Sequence, residues 1–130
     1  MTLPTQVNAD EVIARHFVHD NEMRPGKRLP DYSSFMPNRN LRTSVYRSSG
    51  LEEAAIREIG ETHVAPMRGP LKGHCCKAAQ DFLDEGLSFD ADGHPHGRHA
   101  NVVGWTDDQA ANRIKAKKLA DKAMAFAVYR

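Results

Sequence analysis

The residues best equipped for chemistry fall in two short stretches, and the first is Arg42-Thr-Ser-Val-Tyr-Arg47. Read as a strand, it sets Arg42, Ser44 and Tyr46 on one face and Leu41, Thr43, Val45 and Arg47 on the other, with same-face neighbours about 6–7 Å apart. A guanidinium presents planar donors that match phosphate oxygens two at a time, and a serine beside it adds a hydroxyl donor or a nucleophile. Arg42 and Arg47 are thus candidate phosphate ligands, with Ser44 and Tyr46 to orient the bound group. The competing reading is a solvated sheet face whose arginines pair across strands.

The second stretch, Asp90-x-Asp92-Gly-His94-x-His96-x-x-His99, concentrates three histidines and two acids in ten residues. Imidazoles exchange protons near neutral pH, so His96 or His99, beside Arg98, is a candidate general acid or base. His94, His96 and His99 could instead ligate a metal. No H-E-x-x-H, C-x-x-C or EF-hand spacing accompanies them, so no metal ligand set and no cofactor is expected. The plain alternative is a polar turn shaped by Asp92-Gly93 and Pro95, with the histidines in water.

His74-Cys75-Cys76 looks metal-like in isolation. Successive residues on a helix point about 100° apart, however, and Cys75 falls on an apolar stripe, which favours burial as a small hydrophobe. His16 and His19, with Asp20, lie early in the chain and could approach the other histidines. Between Arg24 and Arg47 stand six bases (Arg24, Lys27, Arg28, Arg39, Arg42, Arg47) against one acid, interleaved with Tyr32, Phe35 and Tyr46. Basic residues among aromatics are the usual physics of single-stranded nucleic-acid binding, and Arg39 and Arg98 join the candidate ligand contacts.

These residues need a scaffold. Residues 11–19 are rich in β-branched and aromatic types and read as a strand, with a helix as the rival reading. Residues 20–40 lose apolar spacing and gather Pro25, Pro30 and Pro37, giving one long basic loop. Residues 41–47 form a second strand. Ser49-x-x-Glu52 reads as a capping box opening a helix over 51–59, with Gly60 as its stop. Cys75, Ala78, Ala79, Phe82 and Leu83 recur at helical spacing and predict an amphipathic helix over 72–85. Residues 87–92 and 98–105 alternate as a hairpin with a histidine-rich connection, and Thr106 caps a final helix over 107–128. The expected fold is α+β: one domain over 1–130, with a mostly antiparallel four-stranded sheet packed by about three helices.

Composition bounds the function. At 130 residues, with 40% hydrophobic and 27% charged side chains, the chain suits one folded core. Net charge is +1. It is unevenly spread: nine acids face four bases over 51–97, while 98–130 holds seven bases and three acids. No stretch approaches the ~20 apolar residues of a membrane span, and no signal peptide opens the chain, so a cytoplasmic protein without a membrane partner is expected. Adjacent Cys75 and Cys76 cannot staple distant segments. No G-x-G-x-x-G, Walker, G-x-S-x-G or S-x-x-K pattern occurs. The leading expectation is a protein binding a phosphate-bearing ligand, RNA or nucleotide, as a metal-independent nuclease or transferase. A non-catalytic module docking on an acidic protein surface and a histidine-dependent metalloenzyme are the alternatives, and the sequence leaves the oligomeric state open.

Overall fold

The computed structural model describes residues 3–24 and 26–129. Pro25, one of the three prolines of the long loop, and Arg130, one of the seven C-terminal bases, lie outside the described residues. The frame is a six-stranded, fully antiparallel sheet in the order β4-β5-β2-β1-β3-β6. Its strands are β1 (Val12–Phe17), β2 (Thr43–Arg47), β3 (Gly73–Ala78), β4 (Ser88–Asp90), β5 (His99–Val103) and β6 (Ala125–Val128). The helices are α1 (Glu53–His63), α2 (Ala65–Arg68), α3 (Ala79–Leu83) and α4 (Gln109–Ala120).

Register assigns each side chain to a face. Ile13 opposes Arg47 and Lys77, and Val45 opposes Ala100, so these share one face. There Ile13, Phe17, Val45, Cys75 and Val102 join Phe82 of α3 and Leu119 of α4 in the main core. Ala14, His16, Ser44, Tyr46, His74, Cys76, His99 and Asn101 share the opposite face. Helix α1 covers part of that second face, setting Ile56 on Ala14 and Cys76, and Ile59 beside Tyr46 and Leu71. The rest of the face, around Ser44, is lined by clefts, one of them walled by residues of α2.

The α+β class and the antiparallel sheet match the sequence expectation, but there are six strands and four helices instead of four and about three. The largest departure is the helix expected over 72–85. Residues 73–78 are strand β3, and only Ala79–Leu83 is helical. Strand β3 lies between β1 and β6 and is buried on both faces, so apolar residues follow one another without alternation and imitate a helical stripe. The helix expected over 107–128 likewise ends at Ala120, and Ala125–Val128 adds an edge strand to β3. Its cap is Asp108, whose carboxylate accepts the Ala110 and Ala111 N–H groups, whereas Thr106 accepts from Asp108 N.

Helix α1 also differs at both ends. Ser49 Oγ accepts the Val12 N–H in place of capping the helix, which starts at Glu53. Gly60 does not stop it. A Cβ at Gly60 would lie 2.5 Å from His16 Cδ2, so glycine is what lets α1 settle on the imidazole, whose Nε2 donates to Ile56 O at 2.8 Å. The long loop contains two 3-10 turns, Asp20–Glu22 and Tyr32–Ser34, and Phe35 beyond the second is fully buried against Phe82.

Candidate active site

Strands β2 and β5 pair with Ser44 opposite Asn101 and Tyr46 opposite His99, which puts His99 diagonal to Ser44 on the shared face. Ser44 Oγ lies 2.6 Å from His99 Nε2, and His99 Nδ1 lies 2.6 Å from Asp92 Oδ1. The other carboxylate oxygen accepts from Asn101 Nδ2 at 3.0 Å, and the His94 N–H donates to Oδ1 at 3.3 Å. Burial opposes ionisation of Asp92, but the hydrogen bonds from His99, His94 and Asn101 outweigh it and hold the carboxyl below its usual value. An ionised carboxylate can only accept, so Nδ1 of His99 carries a proton, and in the neutral ring Nε2 is then the atom that accepts from the serine hydroxyl. Tyr46 packs edge-on against His99 with ring centres 5.2 Å apart. Its phenol is pushed up by burial and then by the Asp92 charge.

Cations border Ser44 on the β1 side. Strand β1 pairs with β3 over six residues but with β2 over only two, so β1 and β2 part beyond Ala14. Arg15 bridges the opening: Nε donates to Ser34 O at 2.7 Å and Nη1 to Ser44 O at 2.8 Å. Burial, then the charge of Arg68, pulls the Arg15 guanidinium down to about 10, still protonated at neutral pH. Glu22 balances the pair, its Oε2 lying 3.9 Å from Arg15 Nη2 and 3.4 Å from Arg68 Nη2. The Val18 and His19 N–H groups hold Oε1 of the same carboxylate.

Two clefts meet at this point. One, of about 470 Å³, is walled by Tyr46, His63, Val64, Pro66, Met67 and Pro95; the other, of about 530 Å³, is walled by Arg42, Asn21, Asn38 and Ser33. Arg15, Ser44 and Arg68 line both. Volumes of this order suit small-molecule ligands.

Of the residues singled out from sequence, Ser44 and His99 are brought into direct contact. His96 stands beside them, its ring centre 6.4 Å from that of Tyr46 and 5.3 Å from that of His63. Its Nδ1 accepts the Arg98 N–H, and burial followed by the charges of His63 and Arg98 lowers its pKa, so it is a neutral Nε2–H donor. Arg42 reaches the polar cleft while pairing with Asp90 at 2.9 Å. Arg47 lies on the opposite face, buried, with Nε and Nη2 forked on Glu11 at 2.8 Å each. Arg98 donates to Arg47 O, and Arg39 is exposed. Arg24 and Arg28 are tied to Asp121 and Phe126 O. Four of the six bases of the run, Arg24, Arg28, Arg42 and Arg47, are therefore held by separate partners.

The sequence expectation places Asp92 in the turn and does not include Arg15, Glu22, His63 or Arg68 in the site. A signal for Arg15 existed: a charged residue inside an otherwise apolar strand needs buried partners. Among the described residues, no three His, Cys, Asp or Glu side chains converge to hold a metal ion. Cys75 and Cys76 are free and buried on opposite faces, with Cys75 pushed up to about 12 by burial. No described helix is long and apolar enough to cross a membrane. Against protein-family models, curated proteins and solved structures, the chain finds no match.

Proposed function

We propose that the protein is a group-transfer enzyme for a small phosphate-bearing molecule, with Ser44 as nucleophile, His99 as general base and Asp92 as the residue that orients His99. The observation that carries this reading is the unbroken hydrogen-bonded chain from Ser44 Oγ through His99 to Asp92. Such a relay makes a weak hydroxyl nucleophile competent, because the imidazole takes the proton as the oxygen attacks.

The step balances as follows. The Ser44 proton passes to His99 Nε2 while an Oγ lone pair forms the bond to phosphorus. The bond from phosphorus to the leaving oxygen breaks, its electron pair stays on that oxygen, and His99 returns the proton to it. Water, deprotonated by the same imidazole, then displaces Ser44 from phosphorus and restores the hydroxyl. The sum is ester plus water giving phosphate and alcohol; an acceptor alcohol in place of water makes the reaction a transfer.

Phosphorus is favoured over a carbonyl by the donors present. Ser44 sits inside the β2–β5 ladder; beside it the guanidinium of Arg68, held by one long contact to Glu22, offers a fork that suits phosphoryl oxygens, and that of Arg15, bound to Ser34 O, Ser44 O and Glu22, adds positive charge. A small molecule is favoured over RNA because three of the bases between Arg24 and Arg47, Arg24, Arg28 and Arg47, are tied to separate protein partners. Release of nitrophenolate from p-nitrophenyl phosphate and bis(p-nitrophenyl) phosphate tests the reading. The wild-type protein turns over one of them, and Ser44→Ala and His99→Asn each lower the rate about 10²–10⁴-fold. Equal rates for wild type and Ser44→Ala would overturn it.

A further inference from the structure

The two clefts that meet at Ser44 share Arg15 and Arg68 but differ in the rest of their lining. One has Arg42, Asn21, Asn38 and Ser33 beside Met36 and Pro37, the other Tyr46, His63, Val64, Pro66, Met67 and Pro95, and a substrate spanning both would differ at its two ends. From this juxtaposition we infer that the substrate is a phosphate ester of a flat, weakly polar ring body, of the nucleoside monophosphate class. The inference rests on the catalytic reading of Ser44 and names its substrate.

The polar cleft supplies the anion site. Arg15, Arg42 and Arg68 all line it, and Asn21, Asn38 and Ser33 add neutral polar groups. Three guanidiniums against the carboxylates of Glu22 and Asp90 leave one net positive charge, 3 − 2 = 1, with all three cations already partly matched. That balance fits one phosphate and does not fit a polyphosphate chain, whose added charge would meet no further cation. Arg68 is the cation best placed to change partners. Its contact with Glu22 is a single long one, and about a third of its side chain is exposed.

The other cleft supplies the body site. Its walls are Tyr46, Val64, Pro66, Met67 and Pro95, with the imidazole of His63 among them. Tyr46, His96 and His63 form a continuous run of rings, neighbouring centres 6.4 and 5.3 Å apart, along the side that His63 and Tyr46 give to the cleft. Met67 is 84% exposed at the end of the short helix α2 and offers a flexible thioether where the cleft opens. Apolar walls and ring edges hold a planar group by contact and stacking, so the identity of the ring should matter less than its flatness. Ser44 lies between the two sites, where the phosphate of such a ligand joins its body.

Calorimetric titration of Ser44→Ala, which lacks the nucleophile and so turns substrate over slowly, tests this with adenosine 5′-monophosphate, adenosine and inorganic phosphate. The monophosphate is expected to bind at least about tenfold more tightly than either part alone, and Arg68→Gln to remove most of that advantage by weakening the monophosphate more than adenosine. Arg68→Lys, which keeps the charge and loses the fork, should fall between them. Thermal midpoints of each variant separate lost binding from lost folding. Equal affinities for adenosine and its monophosphate, or no binding of the monophosphate at millimolar concentration, would overturn the substrate assignment. Tight monophosphate binding by a protein whose Ser44 fails to react with electrophiles would leave the assignment standing and sink the nucleophile instead.

Discussion

With its Nδ1 proton held by Asp92, His99 has only one tautomer to offer, and the lone pair it presents at Nε2 is aimed at Ser44. Asp92→Asn removes that constraint without removing volume. It should lower kcat/KM on a phosphate ester by about 10²–10⁴-fold while shifting unfolding free energy by about 1 kcal/mol or less, because Asp92 is partly exposed. Steady-state kinetics beside a denaturant titration checks this, and a parallel fall in stability and activity would assign Asp92 to the fold alone. Arg47 makes the opposite case: it is buried, and its fork satisfies Glu11 at two oxygens. Arg47→Ala should cost about 3–5 kcal/mol by leaving Glu11 without its partner, read as a lower denaturation midpoint. Ser44, His99 and the polarity of the Arg42–Tyr46 face were legible because strand parity and a hairpin turn are local features. The partnership of Asp92 with His99 was not, since it depends on how the connection over 91–98 folds back on itself. Nor was the Arg15–Glu22–Arg68 cluster, whose members come from three segments that only the sheet brings together.

Two elements carry most of the load in placing the site. Helix α1 lies on the same face as Ser44, and the glycine at position 60 sets how closely it approaches His16. Gly60→Ala would normally favour a helix interior. Here the added methyl meets His16 and Leu71, so the variant should be destabilised by about 1–3 kcal/mol, measurable by thermal denaturation. Short helix α3 supports the other face through Phe82, which meets Phe35 and Phe89 edge-on. Phe82→Ala should cost about 3–5 kcal/mol, and a loss under about 1 kcal/mol would contradict its burial. The same residue shows where pattern reading stops. The burial of Phe82 and of Cys75 was legible from their spacing, yet the secondary structure between them was not. A strand flanked on both sides and covered on both faces leaves the same trace of apolar residues as a buried helix. The alternating edge strand β4 and the hairpin it forms with β5 carried a cleaner signal because β4 has one face in water.

At the scale of the whole molecule, protonation links fold and site. His16 and His74 face each other from β1 and β3 with ring centres 6.1 Å apart, and burial pulls each imidazole down to about 4. Unfolded, both would bind protons near their ordinary value of 6.5. Between 6.5 and about 4 the unfolded chain therefore holds more protons than the folded one, and stability falls as pH falls. The loss approaches about 1.4 kcal/mol per pH unit for each histidine, so a denaturation series should show full stability above pH 6.5 and a steep decline towards pH 4. His16→Gln should flatten that slope. The sheet thus holds a neutral histidine pair on the same face that presents His99 to Ser44. The nucleophile itself is open to direct chemical test. Treated with a fluorophosphonate at neutral pH, the folded wild-type protein should gain one adduct that peptide mapping places on Ser44, with about 10²-fold slower labelling in His99→Asn and none in Ser44→Ala. A folded protein that stays unlabelled, or one labelled at the same rate without His99, would contradict the account.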